Sequence, residues 1–186
     1  MAKNRIILSA EDLLLPLQGE LLKGSQARSF SGISTDSRTI GEGELFWALK
    51  GETFDGHTFV KEAIRKGAAG AVVNMDWTPD GPLNTRVSLI GVRDTLKALG
   101  DLARRWRRRF EARVAAITGS GGKTTTKEMT YEILSIEGLT LKNEGNFNNL
   151  IGLPRMLFRL APEHGWAVLE MGMNHAGEID YLTRLA

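Results

Sequence analysis

The sequence predicts an α/β chain in two domains, each built on a parallel or mixed sheet, and three observations carry the prediction. Short apolar runs alternate with segments of helical period, the pattern of strands joined by crossover helices. One succession, Val114 to Ser135, sets an apolar strand, a glycine-rich loop and a helix in direct order. A dense turn cluster, Thr78-Pro79-Asp80-Gly81-Pro82, interrupts the run of elements and marks a boundary that gives domains 1–84 and 85–186.

In chain order, Ser9 with Asp12 three residues on forms a capping box, which opens a short helix through Leu13 and Leu14 that Pro16 disturbs. Phe30 to Thr35 alternates as a strand and runs into Ser34-Thr35-Asp36-Ser37-Arg38. That hydroxyl-rich loop suits either a polar ligand or plain turn chemistry, with Asp36 and Ser37 satisfying their own backbone. Leu45 to Leu49, including Phe46, reads as a second strand, followed by the polar, glycine-punctuated loop from Lys50 and Gly51 through Asp55 to His57. Two polar loops after strands make a plausible shared pocket, because ligands of open α/β sheets gather beyond the carboxyl ends of the strands. His57 fits a ligand contact or a helix-start cap equally well.

A helix through Phe59, Ala63 and Ile64 ends at Gly67-Ala68-Ala69-Gly70, and Ala71 to Val73 is a short buried strand. Val87 to Val92 is the next strand. Asp94 caps a helix whose apolar stripe is Leu96, Leu99, Ala103, Trp106 and Phe110. The opposite face carries Arg104, Arg105, Arg107, Arg108 and Arg109. Trp106 falls on the apolar stripe and is therefore core rather than a base-stacking platform, which leaves the arginines as a solvated or phosphate-facing rim.

The loop Thr118-Gly119-Ser120-Gly121-Gly122-Lys123-Thr124-Thr125 follows, with the chemistry of a phosphate cradle. Glycines let backbone N–H groups converge on an anion, and the positive end of the following helix adds to the attraction. Lys123 is placed for the β and γ phosphates and the Thr124 hydroxyl for Mg²⁺. Ile117 stands where the common pattern has its first glycine, so the loop is a shorter variant. Met129, Ile133 and Ile136 predict a buried face on the helix, which Gly138 closes.

Beyond Leu141, the loop from Lys142 to Pro154 crowds carboxamides around Gly145: Asn143, Asn146, Asn148 and Asn149. Such groups donate and accept, as a sugar, a peptide or a metal-bound water requires, although an ordinary loop has the same composition. Trp166 to Leu169 is a strand ending in Glu170. An acid at a strand tip near a phosphate loop is where nucleotide hydrolases hold Mg²⁺, so Glu170 is the metal candidate. His175 stands ready as a second ligand or, since Mg²⁺ prefers oxygen, as an orienting donor.

Composition narrows the class. With 42% hydrophobic residues and 25% charged, 186 residues can bury a real core. A net charge of +2 is too weak a field to argue for nucleic acid. The absence of cysteine excludes disulfides and thiolate metal sites. No apolar run reaches the ~20 residues that span a bilayer, and no signal-peptide succession opens the chain, so a soluble cytoplasmic protein is expected.

Taken together, these motifs resemble the ATP-dependent Mur ligases of bacterial cell-wall synthesis over nearly the whole chain. Thr118 to Thr124 looks like that family's short phosphate loop, and the Asp36 to Arg38 and Phe46 to His57 segments like its UDP-sugar-binding N-terminal domain. Asn146 to Pro154 and Glu170 to Ile179 are similar to the branch that joins D-alanyl-D-alanine to UDP-N-acetylmuramoyl-tripeptide. The relative that adds the third amino acid typically has a serine pair before its histidine.

The resemblance implies a UDP-sugar domain over 1–84 and the first part of a P-loop ATPase domain over 85–186. It implies ATP and Mg²⁺, with Gly119, Ser120, Gly121, Gly122, Lys123, Thr124 and Thr125 on the nucleotide, and Thr124 and Glu170 on the metal. Lys123, Glu170 and His175 take the catalytic roles. Ser34, Asp36, Ser37, Arg38, Phe46, Gly51, Asp55, His57, Asn146 and Asn149 take the UDP-sugar peptide. The implied partners are the two substrates, with no nucleic acid and no membrane, and the full-length protein is a monomer. In the implied reaction the peptide carboxylate takes the γ-phosphoryl group of ATP as an acyl phosphate, and the dipeptide amine displaces phosphate to form an amide.

A carbamoylated lysine, a later histidine and a C-terminal domain belong to the family, and no lysine follows Lys142. The chain is therefore expected to be inactive alone, and its interrupted sheet to favour association or partial disorder near Ala186. Three other readings remain: the third-amino-acid-adding ligase, a non-catalytic UDP-sugar or nucleotide module, and a P-loop nucleic-acid protein.

Overall fold

A computed structural model describes residues 7–51, 54–83 and 86–186. Glu52 and Thr53 of the loop before His57, and residues 84 and 85 at the expected boundary, lie outside the described residues. The chain divides into two compact units, Met1–Leu99 and Gly100–Ala186.

In the first unit, β1 (Leu8–Ser9) leads into α1 (Glu11–Leu17). The capping box forms as the spacing requires: Ser9 N–H donates to the Asp12 carboxylate at 2.8 Å, and Asp12 N–H donates to Ser9 Oγ at 3.1 Å. Pro16 sits inside the last turn, and the helix stops one residue later, with Gln18 left-handed at φ 50°. Next come β2 (Glu20–Lys23), β3 (Ser29–Phe30), β4 (Ile33–Ser34) and β5 (Leu45–Trp47). A short 3₁₀ turn, α2 (Val60–Arg65), β6 (Gly70–Asn74) and β7 (Ser88–Val92) follow.

The main sheet runs β2-β7-β6-β5-β4, parallel except for the antiparallel edge strand β2. Its inner strands are buried along their length, which is why Leu45-Phe46-Trp47 and Ser88 to Val92 read as continuous rather than alternating apolar runs. Phe46, Ala48, Val60, Ala63, Ala71, Val73 and Leu89 form one core cluster between sheet and α2. Trp47 is fully buried, and its indole N–H donates to Thr95 O at 2.7 Å.

Two expectations change here. The strand expected over 30–35 is two: β3 pairs antiparallel with β1 and β4 pairs parallel with β5, so the chain changes sheets at Ser31-Gly32. A boundary at residue 84 would cut the main sheet, because β7 pairs with β6 along five residues, Gly70↔Ser88 through Asn74↔Val92. Contact between distant strands outweighs the turn cluster, and the division falls inside α3 (Thr95–Arg107).

The second unit holds β8 (Arg113–Ile117), α4 (Lys123–Glu137), β9 (Thr140–Lys142), α5 (Gly152–Leu157), β10 (Trp166–Glu170) and α6 (Glu178–Leu185). Its sheet runs β8-β10-β9, all parallel, so the ends of β8 and β10 meet at one edge with Ile117 opposite Glu170. Leu153, Leu157, Leu160, Val168 and Leu182 are fully buried in its core. Partial disorder near Ala186 is not what the structure shows, since α6 is formed and buries Leu182 and Leu185.

The buried face expected on α4 is also corrected. Met129 (63%), Ile133 (64%) and Ile136 (86%) are exposed, whereas Lys127 is buried and Tyr131 and Leu134 half-buried. Two stripes of helical spacing compete on this helix. The one formed by Lys127, Tyr131 and Leu134 faces inward, with the Lys127 ammonium on the Asn143 carbonyl at 3.0 Å.

Candidate nucleotide and metal site

β8 delivers the chain into an exposed loop, residues 118–122, holding Ser120 and Gly121 in the open. Gly122 enters α4 at φ +73°, a left-handed conformation that glycine adopts without penalty. Lys123 lies at the first position of α4, and its ammonium folds back onto the carbonyl of Gly119 at 2.8 Å. Thr125 is exposed in the same first turn.

Thr124 points to the strand side, where its hydroxyl donates to Glu170 Oε2 at 2.8 Å. Asn148 donates to the other oxygen, Oε1, at 2.8 Å. Glu170 is only 5% exposed, yet each carboxylate oxygen has a donor. Its backbone is held from both sides. Asn143 Oδ1 accepts from Glu170 N–H at 2.8 Å, and on the β8 side Met171 N–H donates to Ile117 O at 2.8 Å.

This donor set fits Mg²⁺ bound together with a nucleotide. A carboxylate and a hydroxyl are hard oxygen ligands, and Thr124 Oγ1 lies 2.8 Å from Glu170 Oε2. Neighbouring ligands on an octahedral Mg²⁺ are spaced at about 2.9 Å. Among the described residues no group of three or more His, Cys, Asp or Glu gathers to cage a metal. Mg²⁺ needs none where phosphates and water complete its shell.

The remaining residues singled out in the second unit are placed differently. His175 is exposed in the loop before α6, and its carbonyl accepts from Glu178 N–H at 3.4 Å. Asn146 is exposed. Asn149 caps α5, its Oδ1 accepting from Ile151 N–H at 3.1 Å and Gly152 N–H at 2.8 Å. Sequence reasoning chose Asn146 and Asn149 and passed over Asn148 and Asn143, which touch Glu170. In a stretch so rich in asparagine, only the fold selects among them.

The arginine face of α3 is partly structural. Arg107 donates to the carbonyls of Phe110 and Ala112 at 2.9 Å each, and burial pulls its guanidinium below the usual value. Arg109 lies over the Trp106 ring at 5.0 Å, and the Trp106 indole donates to Leu160 O at 3.3 Å.

In the first unit, the turn chemistry of the Ser34 loop is evident. Ser34 Oγ and the Asp36 backbone bond to each other, and the Asp36 carboxylate receives both the Arg38 backbone N–H at 2.9 Å and its guanidinium at 2.7 Å. Ser37 is buried, with Lys66 donating to its carbonyl at 3.0 Å, while the Arg38 side chain is 83% exposed. Phe46 is core, so its side chain is not offered to a ligand. Gly51 is exposed, its N–H bonded to Phe54 O at 2.9 Å.

His57 is likewise occupied. Its Nδ1 meets Asp55 Oδ1 at 2.5 Å and its Nε2 accepts from Asn74 N–H at 2.9 Å, which ties the 3₁₀ turn to β6 from a buried position. A ring with both nitrogens spent is a structural clip. Burial alone would raise the Asp55 carboxyl, but hydrogen bonds from the His57 backbone and ring hold it below the usual range.

Fold and site together define an α/β protein whose second unit presents a glycine loop, a lysine and a strand-tip carboxylate at one sheet edge. The sequence pattern described as the Mur ligase family catalytic domain matches residues 29–107, and that of the Mur ligase middle domain matches residues 117–186. The chain belongs to the Mur ligase family.

It is 45% identical to the UDP-N-acetylmuramoyl-tripeptide–D-alanyl-D-alanine ligase of Escherichia coli over 91% of this chain and 36% of that protein. The enzyme of the same name from Bacillus subtilis is 42% identical, over 90% of this chain and 37% of the relative. A crystal structure of MurF from Acinetobacter baumannii superposes with a TM-score of 0.87 at 40% identity, covering 97% of this chain and 39% of that one. The Thermotoga maritima MurF ligase, solved in complex with ADP, gives 0.72 at 34% identity over 83% of this chain and 35% of its own. The chain thus spans little more than a third of the length of these relatives. Among the described residues no helix is long and apolar enough to cross a membrane.

Proposed function

We propose that this chain supplies the UDP-sugar-binding part and the phosphate-loop part of a cytoplasmic ligase that joins D-alanyl-D-alanine to UDP-N-acetylmuramoyl-tripeptide at the expense of ATP. The observation that carries the reading is the Thr124–Glu170 pair beside Lys123, in a chain whose named relatives carry out that joining. Such a ligation transfers the γ-phosphoryl group of ATP to the peptide carboxylate, and phosphate then leaves as the dipeptide amine attacks. Mg²⁺, when bound, neutralises phosphate charge.

The chain's own residues position and neutralise. Lys123 leaves the Gly119 carbonyl for the nucleotide phosphates, exchanging a neutral acceptor for a charged one. Glu170 and Thr124 offer two oxygens to the metal, and Asn148 keeps the carboxylate from turning away. His175, exposed before α6, is a candidate orienting donor. Arg38, the most open cation of the Ser34 loop, suits the diphosphate of the UDP-sugar. Asn146 and Gly51 are open to the same class of ligand.

Calorimetric titration tests this directly, with UDP-N-acetylmuramoyl-tripeptide and Mg²⁺–ADP titrated separately. Saturable binding of both is expected, with the UDP-sugar weakened about tenfold in Arg38→Ala. If neither binds while duplex DNA or RNA does, the ligase reading is wrong.

A further inference from the structure

The parallel ladder between β9 and β10 ends at Val168↔Lys142, two residues short of Glu170. On that side, nothing in the ladder pairs the Glu170 peptide groups. Asn143, the residue after β9 and only 1% exposed, takes over with its side chain. Its Oδ1 accepts from Glu170 N–H at 2.8 Å and its Nδ2 donates to Glu170 O at 2.9 Å, continuing the sheet where the backbone has left it. The same Nδ2 donates to Phe147 O at 3.0 Å, which steadies the loop that aims Asn148 at the carboxylate.

Asn143 is itself anchored. Its carbonyl accepts from the ammonium of Lys127 at 3.0 Å, and Lys127 is 2% exposed on α4, three positions past Thr124. A buried ammonium is costly unless paired, and Glu128 lies 3.1 Å from it. The Glu128 carboxyl is held below its usual range by hydrogen bonds from Lys142 and then Lys127, so the counter-charge persists. A closed circuit results, from α4 through Lys127, Asn143 and Glu170 back to α4 at Thr124. A carboxamide is the neutral side chain that provides one acceptor and two donor hydrogens at once, and both of its ends are used here.

We propose that Asn143 and Lys127 are positioning residues for the metal: neither meets the nucleotide, and together they fix the Glu170 peptide so that its carboxylate and the Thr124 hydroxyl stay paired as ligands. The inference rests on the nucleotide-site reading above. Partners one shell out from a metal ligand typically change metal affinity by 10–100-fold when removed.

The experiment measures ADP affinity of the 186-residue chain by calorimetry, with Mg²⁺ and with EDTA, and amide exchange at Glu170 without ligands. In Asn143→Ala the Mg²⁺ enhancement of ADP affinity should fall about tenfold or more, while Mg²⁺-free ADP affinity stays within about twofold. Glu170 amide protection should fall with it. Asn143→Asp, which sets a carboxylate oxygen against the carbonyls of Glu170 and Phe147, should show a loss at least as large. Lys127→Met, which keeps the Asn143 side chain and removes only its anchor, should show a smaller loss of the same sign, and it decides the matter if the Asn143 variants do not fold. Leu157→Val, a core change in α5, should lower the melting temperature and leave the enhancement unchanged. A wild-type enhancement in folded Asn143→Asp and Lys127→Met overturns the inference alone. No Mg²⁺–ADP binding by the wild-type chain overturns the nucleotide reading and this inference together.

Discussion

At the scale of single residues, side chains that resemble one another in sequence have opposite duties. Lys123 and Lys127 share a helix one turn apart, yet Lys123 bonds only a loop carbonyl at an exposed edge while Lys127 is buried. Lys123→Ala should therefore weaken Mg²⁺–ADP binding by about 10–100-fold, the worth of a hydrogen bond to a charged group. Its melting temperature should stay at the wild-type value, and a large drop would show a structural role instead. Asp55 supports a prediction of the other kind. Because its folded-state pKa is lowered, its contribution to stability is complete above the unfolded value of about 3.9 and is lost as pH falls through the folded value. With the side chain 40% exposed, solvent screening limits the contribution to under ~1 kcal/mol. Asp55→Asn should melt below wild type at pH ~6, and the difference should shrink as pH falls below the unfolded value and through the lowered folded one, where wild-type Asp55 becomes protonated too. A gap that stays constant with pH would exclude the charge as its source. The sequence could not rank His57 as ligand or clip, since the deciding partner, Asn74 N–H, is seventeen positions away.

At the scale of elements, local signals did best where the partner is local. The Ser9–Asp12 box and the Asp94 cap, which accepts from Leu96 and Lys97 N–H at 2.9 Å each, are both as the spacing dictates. Asn149 shows the limit of the same method, because a capping asparagine and a ligand-binding one look alike in a loop. Asn149→Ala should cost about 1 kcal/mol through the lost cap of α5, and Asn149→Asp should recover it, as chemical denaturation would read out. If both variants keep wild-type stability and lose UDP-sugar binding, Asn149 is a ligand residue after all. The close passage of Phe147 over Gly152 constrains the same corner, where a Cβ on Gly152 would strike the Phe147 backbone. For α4 the helical period was legible and its phase was not. Apolar residues at 129, 133 and 136 satisfy the period, but the face that packs inward is the one carrying Lys127, Tyr131 and Leu134, with Lys127 on the Asn143 carbonyl.

At the scale of the whole molecule, that outward stripe of Met129, Ile133 and Ile136 predicts concentration-dependent self-association. Sedimentation velocity should show it weakening in Ile133→Glu/Ile136→Lys, and a strictly monomeric wild-type chain at high concentration would refute it. The sequence by itself determined the α/β class and the strand–loop–helix unit, which depend on periodicity and on backbone freedom at glycine, and the Mur ligase family, which its ordered motifs resemble; the bond from Thr124 to Glu170 joins residues 46 positions apart and needed the fold. Only the tertiary structure decided that β7 lies inside the first sheet between β2 and β6, that Phe46 is spent on the core and His57 on clipping the 3₁₀ turn to β6, and that Asn148 and Asn143, not Asn146 and Asn149, meet Glu170. These outcomes depend on which strand lies beside which and on which buried polar group most needs a partner. Both are set by contacts between residues far apart in the chain, which local pattern does not encode.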